Sequence, residues 1–284
     1  MDLYFERHDG QAVTTEQFLA AMADANDADL DQFKLWYSQA GTPELQVEGD
    51  YNSETQTYEF RLRLILPSTP DLLDKLPMQI PFAIGLLAKN GREIALDDQG
   101  TTTKVIELTG KDTVERFNNV VEPPICSLNR GFSAPIKVKQ DLSEGTLAFL
   151  MAHDTAPFNR WEAGQKFASI LLTKILREIS EGREAQIDKS FVEALGQTLT
   201  DEGLDPAFRA LACQLPSEQL LAEQVEEADP TAIHLSREIL RKAIANGLHQ
   251  ELMTVYDTNR SNLPYNPDAT SAGRRALKNM ALSY

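Results

Sequence analysis

The sequence predicts an α+β multidomain protein with a short helical opening, an antiparallel β-sandwich and then a superhelix-like array of α-helices. Three observations support this prediction. Apolar residues recur at helical spacing in 1–44, alternate with polar residues in 45–141, and return to helical spacing in 142–284. Strands and helices are therefore grouped along the chain, which is typical of α+β proteins and of separate domains. A chain of 284 residues has room for about two sizeable cores.

The opening segment, 1–44, is predicted to consist of short helices. Residues 1–8 have helical spacing, and Thr14 with Gln17 three positions later has the form of a capping box that begins a helix at about 15–25. A second helix would be capped by Asp27 or Asp29, carry Leu30, Phe33, Trp36 and Tyr37, and end at Gly41 and Pro43. These helices cannot bury so large an apolar surface alone, so we expect the segment to be the cut end of a larger domain.

The middle segment, 45–141, has the period of two that is typical of strands. Apolar and polar residues alternate strictly in 58–64, which predicts a half-buried antiparallel strand. Asn90 and Gly91 both tolerate positive φ and predict a tight hairpin. A long loop is expected at 67–77. Seven or eight short strands without intervening helices predict a sandwich. They are 45–49, 58–64, 80–88, 92–96, 103–108, 113–117, 125–129 and 135–139.

The last segment, 142–284, is predicted to be helical throughout. Pro157 is expected to begin a long helix that ends at Gly182. The apolar stripe of this helix is Trp161, Ala168, Leu171, Leu172, Ile175, Leu176 and Ile179. Later start signals are Asp205-Pro206, Asp229-Pro230 and Asn266-Pro267. Successive amphipathic helices usually pack as antiparallel pairs, so we expect a helical superstructure. Apolar residues continue up to Tyr284, and this end is also expected to be a cut.

The charge balance argues against two classes of partner. The chain has 27 Lys and Arg against 43 Asp and Glu, a net charge of −16, which repels phosphate backbones and anionic lipids. The longest mostly apolar run, 81–88, is far short of the ~20 residues of a membrane-spanning helix, and no secretory signal opens the chain. We therefore expect a cytoplasmic protein that binds neither nucleic acid nor membrane. Cys126 and Cys213 are expected to be reduced and buried, although a disulfide between them stays open.

The histidines do not form a recognisable metal site. A His-Glu-x-x-His motif grips zinc with two imidazoles at positions i and i+4 of one helix. The four histidines are His8, His153, His234 and His249, and no two have that spacing. The neighbours His8-Asp9 and His153-Asp154 do not face each other on a helix or strand, so we expect them at turns or helix ends. His234 and His249 are predicted on one helix, 229–259, about 22 Å apart, too far to share a metal.

Other candidate residues also favour structural roles. Asp229 is expected to cap a helix, with Glu226 and Glu227 on a solvated face. The serines Ser127, Ser133 and Ser143 lack a nucleophile elbow, and no glycine-rich phosphate loop occurs. The aromatic residues Trp36, Tyr37 and Trp161 are expected in the core rather than at an interface. We therefore predict no catalytic, cofactor-binding or metal-binding residue in this chain.

Several runs of residues, in matching order, resemble a known family. They are LYFERHDG (3–10), WYSQAGTP (36–43), DYNSET (50–55), IPFAI (80–84), FSAP (132–135), LAFLMAHD (147–154) and FNRW (158–161). Together they resemble bacterial-type aminopeptidase N, a family of zinc metallopeptidases that remove N-terminal amino acids from peptides. The resemblance implies that 1–44 is the helical tail of the catalytic domain, 45–141 the sandwich domain, and 142–284 the first part of the C-terminal helical domain.

The resemblance also carries an expectation about activity. It implies that the zinc ligands and the segment that holds the substrate amine precede Met1, and that substrate-facing residues of the helical domain follow Tyr284. Our first hypothesis is therefore an inactive structural part of the enzyme, which meets zinc and peptides only in the complete protein. The alternative is a stand-alone interaction or scaffold module. A truncated enzyme would self-associate through its unpaired apolar faces. A hydrolase built from local carboxylates is disfavoured because no acids are suitably spaced.

Overall fold

The computed structural model describes residues 1–262 and 264–284 and divides them into two compact units, 1–141 and 142–284. The first unit contains three short helices and a β-sandwich, and the second is helical. A sandwich followed by a helical array is the predicted fold class, and it is confirmed. None of the described helices combines the length and the apolar character needed to cross a membrane.

The chain opens with α1 (Asp2–His8), α2 (Thr15–Asn26) and α3 (Leu35–Ser38). The predicted capping box is present: the Thr14 hydroxyl accepts a hydrogen bond from the Gln17 amide, and the Gln17 side chain accepts one from the Thr14 amide at 2.8 Å. These two bonds satisfy amides that the first turn of α2 leaves without helical partners. Local sequence chemistry therefore fixes the start of α2.

The second helix predicted for this segment is present only in its last turn, α3. Asp27 ends α2 in the left-handed conformation with φ 49°, and a series of turns leads to the four residues of α3. Tertiary contacts explain the difference. Gln32 donates to the carbonyls of Pro77 and Thr109 at 2.9 and 2.7 Å, and the indole of Trp36 donates to Gln79 O at 2.8 Å. The segment follows the surface of the sandwich instead of continuing as a regular helix.

The sandwich is built from eight strands in two sheets. The first sheet has the order β6-β2-β1-β8, and in the second β3 pairs with β4, β5 and β7. The strands are β1 (Glu44–Asn52), β2 (Thr57–Ile65), β3 (Ile80–Leu87), β4 (Glu93–Ile94), β5 (Lys104–Leu108), β6 (Asp112–Phe117), β7 (Ile125–Leu128) and β8 (Lys137–Lys139). The alternation predicted in β2 is confirmed, because Tyr58, Phe60, Leu62 and Leu64 are all buried. They pack with residues of β3 and β5 in one core between the sheets.

Two details of the sandwich differ from the predictions. β8 pairs with β1 in parallel, from Glu44 opposite Lys137 to Gln46 opposite Lys139, whereas the other described pairs are antiparallel. The hairpin between β3 and β4 is not the predicted tight turn with two positive φ values. Only Gly91 has positive φ, 82°, and its amide bonds to Ala88 O at 2.9 Å. This three-residue loop is the next commonest hairpin solution, in which a left-handed glycine completes the turn.

The described residues of the helical unit, 142–262 and 264–284, form eight helices, and predicted caps open some of them. They are α4 (Glu144–His153), α5 (Pro157–Ser180), α6 (Lys189–Thr200), α7 (Pro206–Ala212), α8 (Glu218–Ala222), α9 (Pro230–Gly247), α10 (His249–Thr258) and α11 (Ala269–Ser283). Asp205 and Asp229 cap α7 and α9 as predicted, each accepting two amide hydrogen bonds. α5 begins at Pro157 and ends in a Schellman motif at Gly182, whose φ is 68°.

Helix packing follows the apolar stripes. α4 packs against α5 and α6, α5 against α9, and α11 against α7 and α10. The rings of Phe167 and Phe191 meet edge to face at 5.3 Å between α5 and α6. The buried residues of the α5 stripe include Ala168, Leu171, Leu172 and Ile175.

Two helix boundaries differ from the predictions. Asp268, not Asn266, caps α11, because the Asp268 carboxylate accepts from the Ser271 amide at 2.9 Å while Asn266 accepts from Asp268. The predicted helix over 229–259 is interrupted at Leu248, so that His234 and His249 lie on different helices. Leu248 is buried against α6, where a Cβ on Gly196 would lie 2.8 Å from the Leu248 side chain.

Candidate functional site

The histidines occupy helix ends and surface positions. His8 and His153 are the last residues of α1 and α4, and Asp9 and Asp154 cap those helices, which confirms the helix-end roles predicted for both pairs. His153 packs on the Phe149 ring, and burial, followed by the nearby Arg160 cation, lowers the pKa of His153.

The two remaining histidines lie in the helical unit. His234 Nδ1 lies 2.8 Å from a carboxylate oxygen of Glu218, and His249 is exposed at the start of α10. Among the described residues no group of three or more His, Cys, Asp or Glu side chains could hold a metal ion. The donor groups of 1–262 and 264–284 therefore do not fit a zinc centre, which needs at least three protein ligands.

The predicted serine and acid roles are structural. Ser127 accepts from Arg130 Nε at 3.1 Å, and Ser133 accepts from the Ala83 amide at 2.9 Å. Ser143 caps α4 and Asp229 caps α9, while Glu226 and Glu227 are exposed, as predicted. These hydroxyls take part in hydrogen bonds within the protein.

The aromatic residues divide between core and surface. Trp36 packs against the sandwich core, and Trp161 is half-buried beside Phe158 at 5.8 Å between ring centres. The core position predicted for Tyr37 is wrong, because Tyr37 is 56% exposed, with its ring edge to face on that of Phe33. The irregular path of this segment turns that ring toward solvent.

Sequence reasoning missed a buried arginine in the sandwich. Arg130 is 7% exposed and donates to Ser127, to Thr103 Oγ1 at 2.5 Å and to Thr102 O at 3.2 Å, and its Nη2 pairs with Glu93 at 2.7 Å. A buried cation is stable only when paired and hydrogen-bonded, and Arg130 meets both conditions.

Gly85 makes room for this guanidinium, since a Cβ at position 85 would lie 2.6 Å from Arg130 Nη1. The loop that carries Arg130 is conformationally unusual. Asn129, Gly131 and Phe132 have φ values of 55°, 63° and 54°, a conformation that is costly for a bulky residue. The Asn129 side chain holds the loop in place by bonding to both the amide and the carbonyl of Ala134. The bonds of Arg130 therefore join its loop to Ser127 in β7 and to Glu93 in β4.

A second buried network lies in the helical unit. Arg160, 6% exposed, donates to Met151 O at 3.0 Å in the last turn of α4 and pairs with Asp201, the cap of α6, at 3.0 Å. Arg209 likewise donates to Leu199 O at the end of α6. Cations at carboxyl ends of helices are favoured because carbonyls there lack helical partners. No spacing in the sequence predicted these contacts.

The two thiols are poorly suited to chemistry. Cys126 and Cys213 are free and buried, as predicted. Burial raises the pKa of each thiol to about 12, so both are protonated at neutral pH and neither is a nucleophile. Burial also raises the pKa of Tyr58, whose hydroxyl lies 3.0 Å from Cys126 Sγ.

Two domain families and several longer proteins are similar to this chain. Residues 41–141 match a family described as a domain of unknown function (DUF3458) with an Ig-like fold, and residues 144–284 match a domain of unknown function (DUF3458_C) with ARM repeats. Aminopeptidase N of Escherichia coli is 36% identical to the whole chain, and that of Caulobacter vibrioides is 40% identical over 98% of it. Over its whole length the chain is similar to aminopeptidase N.

The relatives are much longer than the chain. It spans 33% of the Escherichia coli enzyme and 31% of the Caulobacter vibrioides enzyme, and aminopeptidase N of Haemophilus influenzae is 33% identical with the same partial coverage, 33%. A crystal structure of Legionella pneumophila aminopeptidase A in complex with aspartic acid superposes with a TM-score of 0.82 at 27% identity, covering 99% of this chain and 32% of that one. The chain therefore corresponds to a C-terminal-type part of aminopeptidase N homologues.

Proposed function

We propose that this chain is a non-catalytic structural part of a zinc-dependent aminopeptidase N and releases no N-terminal amino acids by itself. The observation that carries the proposal is its match over its full length to about a third of each relative. The His-Glu-x-x-His motif that such an enzyme needs is missing from the sequence.

The structural roles of the polar residues support the proposal. The buried arginines Arg130, Arg160 and Arg209 bond to protein acceptors. The thiols are protonated, and the serines cap helices or support loops. These groups stabilise a frame. In the whole enzyme, this frame would act as wall and spacer around a peptide site in a cytoplasmic protein that has no nucleic acid or membrane partner.

The direct test is an assay of the purified chain with alanyl and leucyl chromogenic amides, with and without added Zn²⁺. We expect no release above the rate without protein. A full-length relative, assayed in parallel, controls for substrate and buffer. Zinc-dependent turnover by the chain, lost on chelation and regained with metal, would refute the proposal.

A second candidate function is a stand-alone interaction module, and one observation favours it. None of the described residues of α1 is buried, and Phe5 is 54% exposed beside Tyr4. Large exposed apolar patches mark interaction sites. Size-exclusion chromatography with a dye that binds apolar surface distinguishes the two functions. A monomer that binds the dye favours the module, whereas self-association through the apolar faces favours the enzyme part.

A further inference from the structure

The first sheet of the sandwich has an open edge at β6. This strand stands at one end of the sheet order β6-β2-β1-β8, and among the described strands only β2 pairs with it. Its residues, Asp112–Phe117, include no proline, and their register with β2 runs without a bulge. An edge strand of this kind presents a row of main-chain donors and acceptors on which another strand can pair.

One hydrogen bond identifies the main-chain groups that face the open side. Leu64 N donates to Lys111 O at 2.7 Å, so the main chain of Lys111 faces β2. Successive residues of an antiparallel strand direct their N–H and C=O groups alternately toward one neighbour and toward the other. The main-chain groups of Asp112, Val114 and Arg116 therefore point away from β2, toward the open edge.

The same three residues carry exposed side chains on the outer face of the sheet. Val114 is 60% exposed, while Asp112 pairs with Arg63 at 2.9 Å and Arg116 with Glu59 at 2.6 Å. A depression of about 340 Å³ on this face has Asp112 and Val114 in its wall, which leaves room for the side chains of a further strand. The edge thus presents an acid, a valine and a base in that order, a pattern that is complementary to itself when one copy is reversed.

We propose that β6 pairs with β6 of a second copy of this chain, antiparallel and about a two-fold axis at Val114. In this register Asp112 lies opposite Arg116 of the second copy, and the two valines meet at the axis. The outward N–H and C=O groups of all three residues then have partners, and opposite charges face each other across the new strand pair. Since Arg63 and Glu59 keep their own pairs, a row of alternating charges crosses the two sheets. Such an interface is isologous and closes as a dimer.

The charges select this register over its neighbours. A shift by two residues sets Val114 opposite a charged residue and leaves the other charges without opposite partners. On the inner side of β6, Glu115 keeps its Lys104 partner at 2.6 Å and faces Thr113 of the second copy, so no like charges meet. Six residues on each side form a small interface, for which we expect weak affinity, with a Kd of about 10–500 µM. The proposal does not depend on the function proposed above.

Sedimentation velocity of the purified chain between about 5 µM and 1 mM should show a monomer–dimer equilibrium with a Kd in this range. Amide hydrogen exchange locates the contact. Exchange at Val114 should slow as the concentration rises, because its amide gains a partner in the dimer, whereas exchange at Thr113, whose amide already faces β2, should change little.

Charge variants test the register. Asp112→Arg and Arg116→Asp should each weaken self-association at least about tenfold, because each sets like charges opposite one another, and a 1:1 mixture of the two variants should associate again. Val114→Lys should also weaken it at least about tenfold, whereas the control Val121→Lys, at a valine that is 70% exposed outside β6, should leave it unchanged. Should a charge variant fail to fold, Val114→Lys decides. A chain that stays monomeric up to about 1 mM, self-association that survives Val114→Lys, or a mixture that associates no better than the separate variants would each overturn the proposal.

Discussion

Replacing Gly85 with alanine tests whether the Arg130 guanidinium is fixed across β3. The new Cβ would lie 2.6 Å from Arg130 Nη1 and 2.8 Å from its Cζ, well inside contact distance. Arg130 cannot move away without losing bonds to Ser127, Thr103 or Glu93. Overpacking costs about 1–3 kcal/mol, and a hydrogen bond to a charged group contributes about 1.5–3 kcal/mol. We expect the first unit to lose about 2–4 kcal/mol of unfolding free energy.

The two tryptophans allow this loss to be measured in the correct unit. Trp36 lies in the first unit and Trp161 in the second, so a Trp161→Phe background leaves fluorescence that reports the sandwich alone. Urea titration then gives the free energy of unfolding of that unit, which matters because a chain with two units need not unfold in one step.

Gly110→Ala is the matched control, since its Cβ would meet only Asp112 O at 3.8 Å. The control should be neutral or stabilising by up to about 1 kcal/mol. In an Arg130→Met background, Gly85→Ala should cost much less, because the partner of the clash is gone. A Gly85→Ala effect equal to that of the control, or unchanged in the Arg130→Met background, would refute the reasoning.

Three further predictions follow from caps and burial. Asp229→Ala removes the acceptor of two amides at the start of α9 and should lower the free energy of unfolding by about 1 kcal/mol, measured by urea titration followed at Trp161. The control Glu226→Ala changes an exposed residue and should lower it by less than about 0.5 kcal/mol. Equal effects of the two variants would contradict the capping role of Asp229. The hydrogen bond from the Ser271 amide lowers the pKa of Asp268 in the folded chain. The stabilisation that the ionised Asp268 gives to α11 is therefore present above about pH 4 and is lost as the pH falls through the folded pKa. The difference in melting temperature between the chain and the Asp268→Asn variant should therefore shrink from pH 7 to pH 3. A constant difference would contradict the capping role of the ionised Asp268. Neither thiol should react with Ellman's reagent at pH 8 in the folded chain, and both should react in urea. Reaction of a thiol in the folded chain would contradict its burial.

The sequence predicted those features that depend on neighbouring residues. The capping box at Thr14, the caps Asp205 and Asp229, and the glycine stop at Gly182 are all present. Each involves groups within about five positions of one another, so the chemistry is visible in the sequence. The alternation in β2 was equally informative, since one face of that strand is buried.

The failures occurred where distant residues decide the local structure. The apolar spacing after Asp27 is helical, but Gln32 and Trp36 donate hydrogen bonds to carbonyls more than 40 positions away. The segment therefore follows the sandwich surface instead of forming a continuous helix. The break at Leu248 places this leucine against Gly196 of α6, a contact that the spacing within 229–259 does not show. Buried arginines were missed for the same reason, because arginine is normally exposed and its burial requires acceptors that the fold alone brings together.

The arginines also explain how the helical unit can serve as a rigid frame. Connections between helices are usually where a helical array flexes. Here Arg160 bonds to a carbonyl in the last turn of α4 and to the cap of α6, and Thr198 donates to the same carbonyl, Met151 O, at 2.8 Å. Arg209 closes the end of α6 in the same way. The helix ends are thus fixed by buried side chains, which is what the proposed role as a spacer requires.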